Sequence, residues 1–263
     1  MKKIFNKSTI ISYILGLITI SSIGLYFIFQ DDVPCDGNNI GVIDIMGDID
    51  IFEDLDNISV SSMKVVQQIQ DLNDNPNIKG ILLDIDSGGG FVEPGEAIML
   101  AIQKTSKPKV AVIHDMGASS AYMIASGVDQ IFASRFSSVG SIGVTADFLD
   151  TSEKDRREGI IFYDLSSGVH KGAMKDNSRL TSIQKEVIMG DIMKLHEVFV
   201  EYVAKNRNLP IEEVRSLADG RTYVGDDALK LGLIDQIGGM PEATKWLENK
   251  IGEKVSYCYT GEE

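Results

Sequence analysis

Residues 78–85, Ile-Lys-Gly-Ile-Leu-Leu-Asp-Ile, form a short apolar run between Asn75-Pro76 and the three glycines Gly88-Gly89-Gly90. A run of this length, rich in branched residues and closed by turn residues, predicts a strand buried on both faces. Apolar residues at helical spacing follow at 94–105. Residues 109–113 then repeat the strand pattern, and a second helical stretch runs to about 126. Strand, helix, strand, helix in that order implies βαβ units with right-handed crossovers and a largely parallel sheet. Such sheets bind ligands beyond the C-terminal ends of their strands. Here those ends carry Gly88, Gly89 and Gly90 after one strand and Ser119 after the next, which points to a single site.

The flanking sequence extends this α/β reading. Residues 40–45 predict a strand, and residues 58–72 a helix stopped by Asn73-Asp74-Asn75-Pro76. Residues 130–133 and 160–163 predict further short strands. From about residue 180 the pattern is mostly helical, with segments at 183–204, 212–217, 228–231 (ended by Gly232) and 241–250, and a short strand at 233–235. No internal repeat occurs in the 263 residues, which suffice for one large domain.

The N-terminal part is of a different kind. Residues 9–29 contain no charge, and 21 residues of helix span about 31 Å, the thickness of a bilayer's hydrocarbon core. Lys2, Lys3 and Lys7 precede the run, and Asp31 and Asp32 follow it. The bias of positive charge places the N-terminus in the cytoplasm and the rest of the chain across the membrane. A cleaved signal peptide is the competing reading, but the apolar run is long and no Ala-x-Ala-like site follows it. The expected organisation is therefore a membrane anchor at 1–30, a linker at 31–39 carrying Pro34 and Gly37, and one domain at 40–263.

Charge and residue counts exclude several partners. With 25 basic against 39 acidic residues the net charge is −14, which argues against nucleic acid. Cys35 and Cys258 are the only cysteines. They could form one disulfide in an oxidising compartment or remain two thiols. His114, His170 and His196 show no ligand spacing, so no metal and no cofactor is expected.

Ser119 sits in Met116-Gly117-Ala118-Ser119-Ser120-Ala121-Tyr122. A serine before a helix is commonly an N-cap. Here small residues crowd it and leave room for a substrate backbone, and the N–H of Ser120 at the helix start could donate to an oxyanion. Three consecutive glycines weaken a fold unless a backbone must pass close to a ligand, which is the use expected of Gly88, Gly89 and Gly90. Lys171, in Ser167-Gly168-Val169-His170-Lys171, would be a surface residue by default. To serve as a base it must be uncharged, for which burial in an apolar pocket is the usual means. Ser141, in Val139-Gly140-Ser141-Ile142-Gly143, is a candidate to hold such an amine. His170 is a rival base. If residues 168–172 are extended, His170 and Lys171 point to opposite faces and only one can reach Ser119. Two Ser-x-x-Lys matches, at 61–64 and 182–185, lack companion motifs and are read as chance.

Taken together these segments resemble peptidase family S49, the membrane-anchored Ser–Lys peptidases of the signal peptide peptidase (SppA) type. Family members show Asn-Ser-Pro-Gly-Gly where this chain has Asp86-Ser87-Gly88-Gly89-Gly90, and Ala-Ser-Gly-Gly-Tyr where it has Ala118-Ser119-Ser120-Ala121-Tyr122. Their Ser-Gly-x-x-Lys matches 167–171, and their Gly-Ser-x-Gly matches 140–143. Residues 219–223 and 228–235 resemble the family's C-terminal block, expected to be structural. The resemblance covers about residues 40–250, with the preceding anchor also typical.

The resemblance implies a ClpP/crotonase-like fold with Ser119 as nucleophile, Lys171 as base in preference to His170, and Gly89 with Ser120 as oxyanion donors. It also implies a homo-oligomer whose neighbours complete the cleft. The expected place is the bacterial inner (cytoplasmic) membrane with the catalytic domain outside the cytoplasm. The expected substrates are remnant signal peptides or other membrane-associated peptides. Alternatives are a crotonase-like acyl-CoA enzyme on the same fold and an inactive scaffold descended from a peptidase. Two departures, Gly88 for proline and Ser120-Ala121 for the glycine pair, should loosen the oxyanion loop and narrow the pocket.

Overall fold

The computed structural model describes residues 35, 37–52, 59–163, 165–168, 170–171, 174–175 and 177–260. The expected membrane anchor lies outside them. Among the described residues no helix is long and apolar enough to cross a membrane.

The anticipated alternation is present as β1 (Ile40–Asp50), β2 (Ser59–Ser61), α1 (Ser62–Asp74), β3 (Gly80–Gly90), α2 (Val92–Lys104), β4 (Lys109–Ala118), α3 (Ser120–Ser126), β5 (Gln130–Ala133) and β6 (Ser138–Gly140). Then follow α4 (Ser152–Arg157), α5 (Ser182–Arg207), α6 (Ile211–Leu217), β7 (Thr222–Val224), α7 (Gly225–Lys230), β8 (Gln236–Ile237), α8 (Met240–Ile251) and β9 (Tyr257–Tyr259). The strands form one sheet in the order β2-β1-β3-β4-β5-β8, with β9 beside β1 and β6 joining β4 to β7. Every pairing is parallel except β6 with β7.

Both faces of the central strands are covered, as their unbroken apolar character demands. One face carries Ile43, Ile45, Ile81, Leu83, Ile85, Ala111 and Ile113 into the main core with residues of α1, α2 and α3. The other carries Ile40, Val42, Leu82, Val110 and Val112 against Ala243 and Leu247 of α8. The alternation along each strand thus divides one sheet between two cores.

The differences from expectation have local causes. Residues 160–163 form no strand; Ile161 and Tyr163 are 72% and 86% exposed, so this apolar run has no sheet to join. The strand expected at 233–235 falls at Gln236–Ile237, because Leu233 and Ile234 instead bond back to the carbonyl of Ala228. The C-terminal part is less purely helical than expected, since it also supplies β7, β8 and β9. Cys35 and Cys258 are joined by a disulfide with a Cα–Cα distance of 5.2 Å, and both are buried.

Candidate active site

Two ladder irregularities shape the site. The β1–β3 register shifts between Met46 and Asp48, and the β3–β4 register shifts between Ile85 and Ser87. Such shifts re-aim the residues that follow. They carry the glycines of β3 against the end of β4. A Cβ on Gly89, whose φ is +103°, would lie 2.7 Å from Cβ of Ser119 and 3.0 Å from the nitrogen of Ser120. Only glycine allows this approach.

Ser119 occupies the turn between β4 and α3 with φ 53° and ψ −127°. A non-glycine residue held there stores about 1–3 kcal/mol of strain, which the surroundings must impose. Two hydrogen bonds do so: the Ser119 N–H donates to the Gly140 carbonyl at 2.8 Å, and its carbonyl accepts from Met123 N–H at 3.0 Å. The peptide is therefore fixed on both sides. The hydroxyl is not acting as a cap, because no side-chain capping bond forms at α3. The serines of the two Ser-x-x-Lys matches are helix-start residues. Ser61 Oγ accepts from Lys64 N–H to cap α1, and Ser182 is the first residue of α5, capped by Thr181 and Gln184.

Ser119 opens into a cleft of about 510 Å³. Gly90 and Val92 form one wall, and Ser141 with residues 143–145 a second. Ile192, Met193 and His196 of α5 form a third, and Ala218, Asp219 and Gly220 close it. The N–H of Ser120 begins α3, so the helix offers it no acceptor, and it lies beside Gly89. The Ser120 side chain is buried against Gly95, and its hydroxyl has no hydrogen-bond partner among the described residues. Gly89 N–H donates to Ser87 Oγ at 3.1 Å, and the Ser87 hydroxyl in turn donates to the Gly47 carbonyl at 2.6 Å. Gly88 is exposed and faces Met116, and Gly90 lines the cleft.

The remaining expected residues are distributed differently. Ser141 lines the cleft with Ser119, and its hydroxyl donates to the Gly220 carbonyl at 3.0 Å while its N–H donates to the Arg221 carbonyl. Lys171 is exposed in a turn, where its N–H bonds to Gly168 O at 3.0 Å, and it is not among the residues lining this cleft. His170 is likewise an exposed turn residue.

Sequence reasoning missed the α5 wall and underrated the block at 219–223. Asp219 and Gly220 line the cleft as well as supporting it. Hydrogen bonds from the Arg221 guanidinium hold the Asp219 carboxyl below the usual carboxylate range. One signal for the wall was available. Ile192, His196, Phe199 and Val203 fall on a single helical stripe, and a histidine interrupts its apolar character.

The architecture is that of ClpP-like α/β domains. A point mutant of ClpP1 from Listeria monocytogenes matches with a TM-score of 0.51 at 16% identity, over 76% of this chain and 92% of that one, a likeness of fold alone. The chain belongs to peptidase family S49. The profile of Peptidase family S49 matches residues 101–254, and that of Clp protease matches residues 44–138. Similar proteins include the putative protease MJ0651 of Methanocaldococcus jannaschii, 34% identical over 70% of this chain and 60% of that protein. A putative signal peptide peptidase SppA of Enterococcus faecium is 34% identical over 70% of this chain and 54% of its own length. Protease 4 of Haemophilus influenzae is 27% identical over 82% and 35% respectively. The chain thus spans little more than half the length of the first two relatives.

Proposed function

We propose that this protein is a membrane-anchored serine endopeptidase in which Ser119 is the nucleophile and Lys171 the general base. The observation that carries the reading is the strained Ser119 held at the end of β4 beside Gly89 and open to the cleft. Strain of this kind at a polar side chain that lines a cleft is common at functional positions.

The Ser119 hydroxyl passes its proton to the Lys171 amine while Oγ bonds to the carbonyl carbon of the scissile peptide. The carbonyl oxygen becomes an oxyanion held by Ser120 N–H and by the glycine loop, where Gly89 N–H exchanges its bond to Ser87 for one to the oxyanion. The C–N bond then breaks, and the lysine ammonium gives its proton to the leaving amine. Water, deprotonated by the same lysine, releases the acyl group and restores Ser119.

In this reading Lys171, exposed on its own copy, serves the cleft of a second copy of this chain. Support comes from the apolar surface on its own arm and on α5: Phe162, Tyr163 and Leu165, then Ile183, Val187 and Met189, are all exposed. Apolar surface of this extent marks an interaction site. Burial in such an interface would also remove the amine from water, as a lysine base requires. Remnant signal peptides and other membrane-associated peptides are the proposed substrates, in keeping with the name of the Enterococcus faecium relative.

The test is complementation. Ser119→Ala and Lys171→Ala should each abolish cleavage of an unstructured peptide. Mixed after dissociation and reassembly, the two variants should recover part of it. Full activity in either single variant removes that residue from the mechanism. A mixture that stays inactive rules out a dyad shared between copies.

A further inference from the structure

We infer that His196 reads the substrate, selecting an uncharged hydrogen-bonding side chain, amide or hydroxyl, next to the bond that is cut; this rests on Ser119 being the nucleophile of a peptidase. The inference starts from α5. Its C-terminal half is buried at Phe199, Val200, Val203 and Ala204. Tracing the Phe199 and Val203 face back toward the helix start gives His196 and then Ile192, at spacings of four, three and four residues. Continuity of the stripe calls for an apolar residue at 196. At this level, however, the stripe has left the core and faces the cleft, where His196 and Ile192 stand together with Ser119.

Most of the cleft's other side chains are either apolar or already engaged. Val92, Val144, Ile192, Met193 and Ala218 are apolar. Asp219 is held by Arg221, and the Ser141 hydroxyl donates to Gly220. The half-buried ring of His196 has no hydrogen bond to any described residue; its charged neighbour is Glu197, which Arg215 holds. A neutral imidazole offers one donor and one acceptor. An amide or hydroxyl can satisfy either. Glu197 and Asp219 are matched by Arg215 and Arg221, and Asp191 by Lys194, so a charged substrate side chain would enter without a free counter-ion among them. That is costly in a confined cleft.

Binding in a Ser119→Ala background separates this inference from the proposed mechanism, because it requires no turnover. The probes are three fluorescent peptides that differ only in carrying Gln, Glu or Leu at a residue beside the cleavage site. The Gln peptide should bind more tightly than the Glu peptide. Adding His196→Ala should weaken the Gln peptide about five- to tenfold, the value of one hydrogen bond, and leave the Leu peptide within about twofold. Adding His196→Leu, an apolar residue in keeping with the stripe, should make the Leu peptide bind more tightly than the Gln peptide. Equal weakening of all three peptides, no weakening at all, or preference for Glu at about pH 8 would overturn the inference. In the presence of Ser119, His196→Ala should raise KM for the Gln peptide several-fold more than for the Leu peptide. Loss of kcat on both would make the histidine part of the proton transfer and end its assignment as a reader. If the wild-type chain binds these peptides with the stated order yet cleaves none, the peptidase reading fails while the binding assignment survives.

Discussion

Ser119 carries a side chain in a backbone conformation that disfavours one. Its φ of 53° suits glycine better than serine, and two backbone hydrogen bonds hold it there. Replacing a strained non-glycine residue by glycine relieves the strain, although it also gives the unfolded chain more freedom. Ser119→Gly should therefore leave stability unchanged or raise it by about 1 kcal/mol while abolishing hydrolysis, read as midpoint temperature against activity. A loss of about 2 kcal/mol or more, well outside that range, would show that the hydroxyl is structural. The neighbouring Ser120 argues the same way. Its buried hydroxyl has no partner among the described residues, so Ser120→Ala should be neutral or stabilising, provided the backbone N–H keeps its place.

Among the elements, α5 combines two roles. Its C-terminal half is packed into the core, while its N-terminal half exposes Ile183, Val187 and Met189. Val187→Asp combined with Met189→Asp should leave the domain folded, because neither side chain is buried, but should lower the oligomeric state seen in solution and the peptidase activity with it. An unchanged oligomer with full activity would show that this face does not hold copies together. The elements also show what the sequence makes legible. The strands β1, β3, β4 and β5 were readable because burial on both faces leaves an unbroken apolar run. The same logic misread residues 160–163, since an apolar run that stays exposed looks in sequence like one destined for a sheet. Three-residue strands such as β6 and β7 carry too little pattern to be seen, yet their pairing places Gly220 and Arg221 behind Ser141. Ser119 and the glycines were legible through local chemistry. His196 was legible only as a break in an apolar stripe; that it shares a cleft with Ser119, 77 positions earlier, no local pattern shows.

For the molecule as a whole, the disulfide ties Cys35, just after the proposed anchor, to Cys258 in β9, which lies beside the first residues of β1. The seam around it is also hydrogen-bonded: Asn39 donates to Glu253 and Lys254 O, and its side-chain oxygen accepts from Ser256 N–H. A disulfide typically contributes about 2–4 kcal/mol. Reduction, or Cys258→Ser, should lower the unfolding midpoint accordingly and weaken exchange protection first in β9. Such a bond persists in oxidising surroundings. An unchanged midpoint after verified reduction would leave the seam to its hydrogen bonds alone.

The central claim is that Ser119 attacks acyl groups in this cleft. It is tested most directly by treating the detergent-solubilised full chain with a serine-directed phosphonylating probe and locating the adduct by mass spectrometry. A single adduct on Ser119 is expected, lost in Ser119→Ala and much reduced in Lys171→Ala. An adduct on another serine that survives Ser119→Ala, or no adduct on an assembled and peptide-cleaving protein, would contradict it.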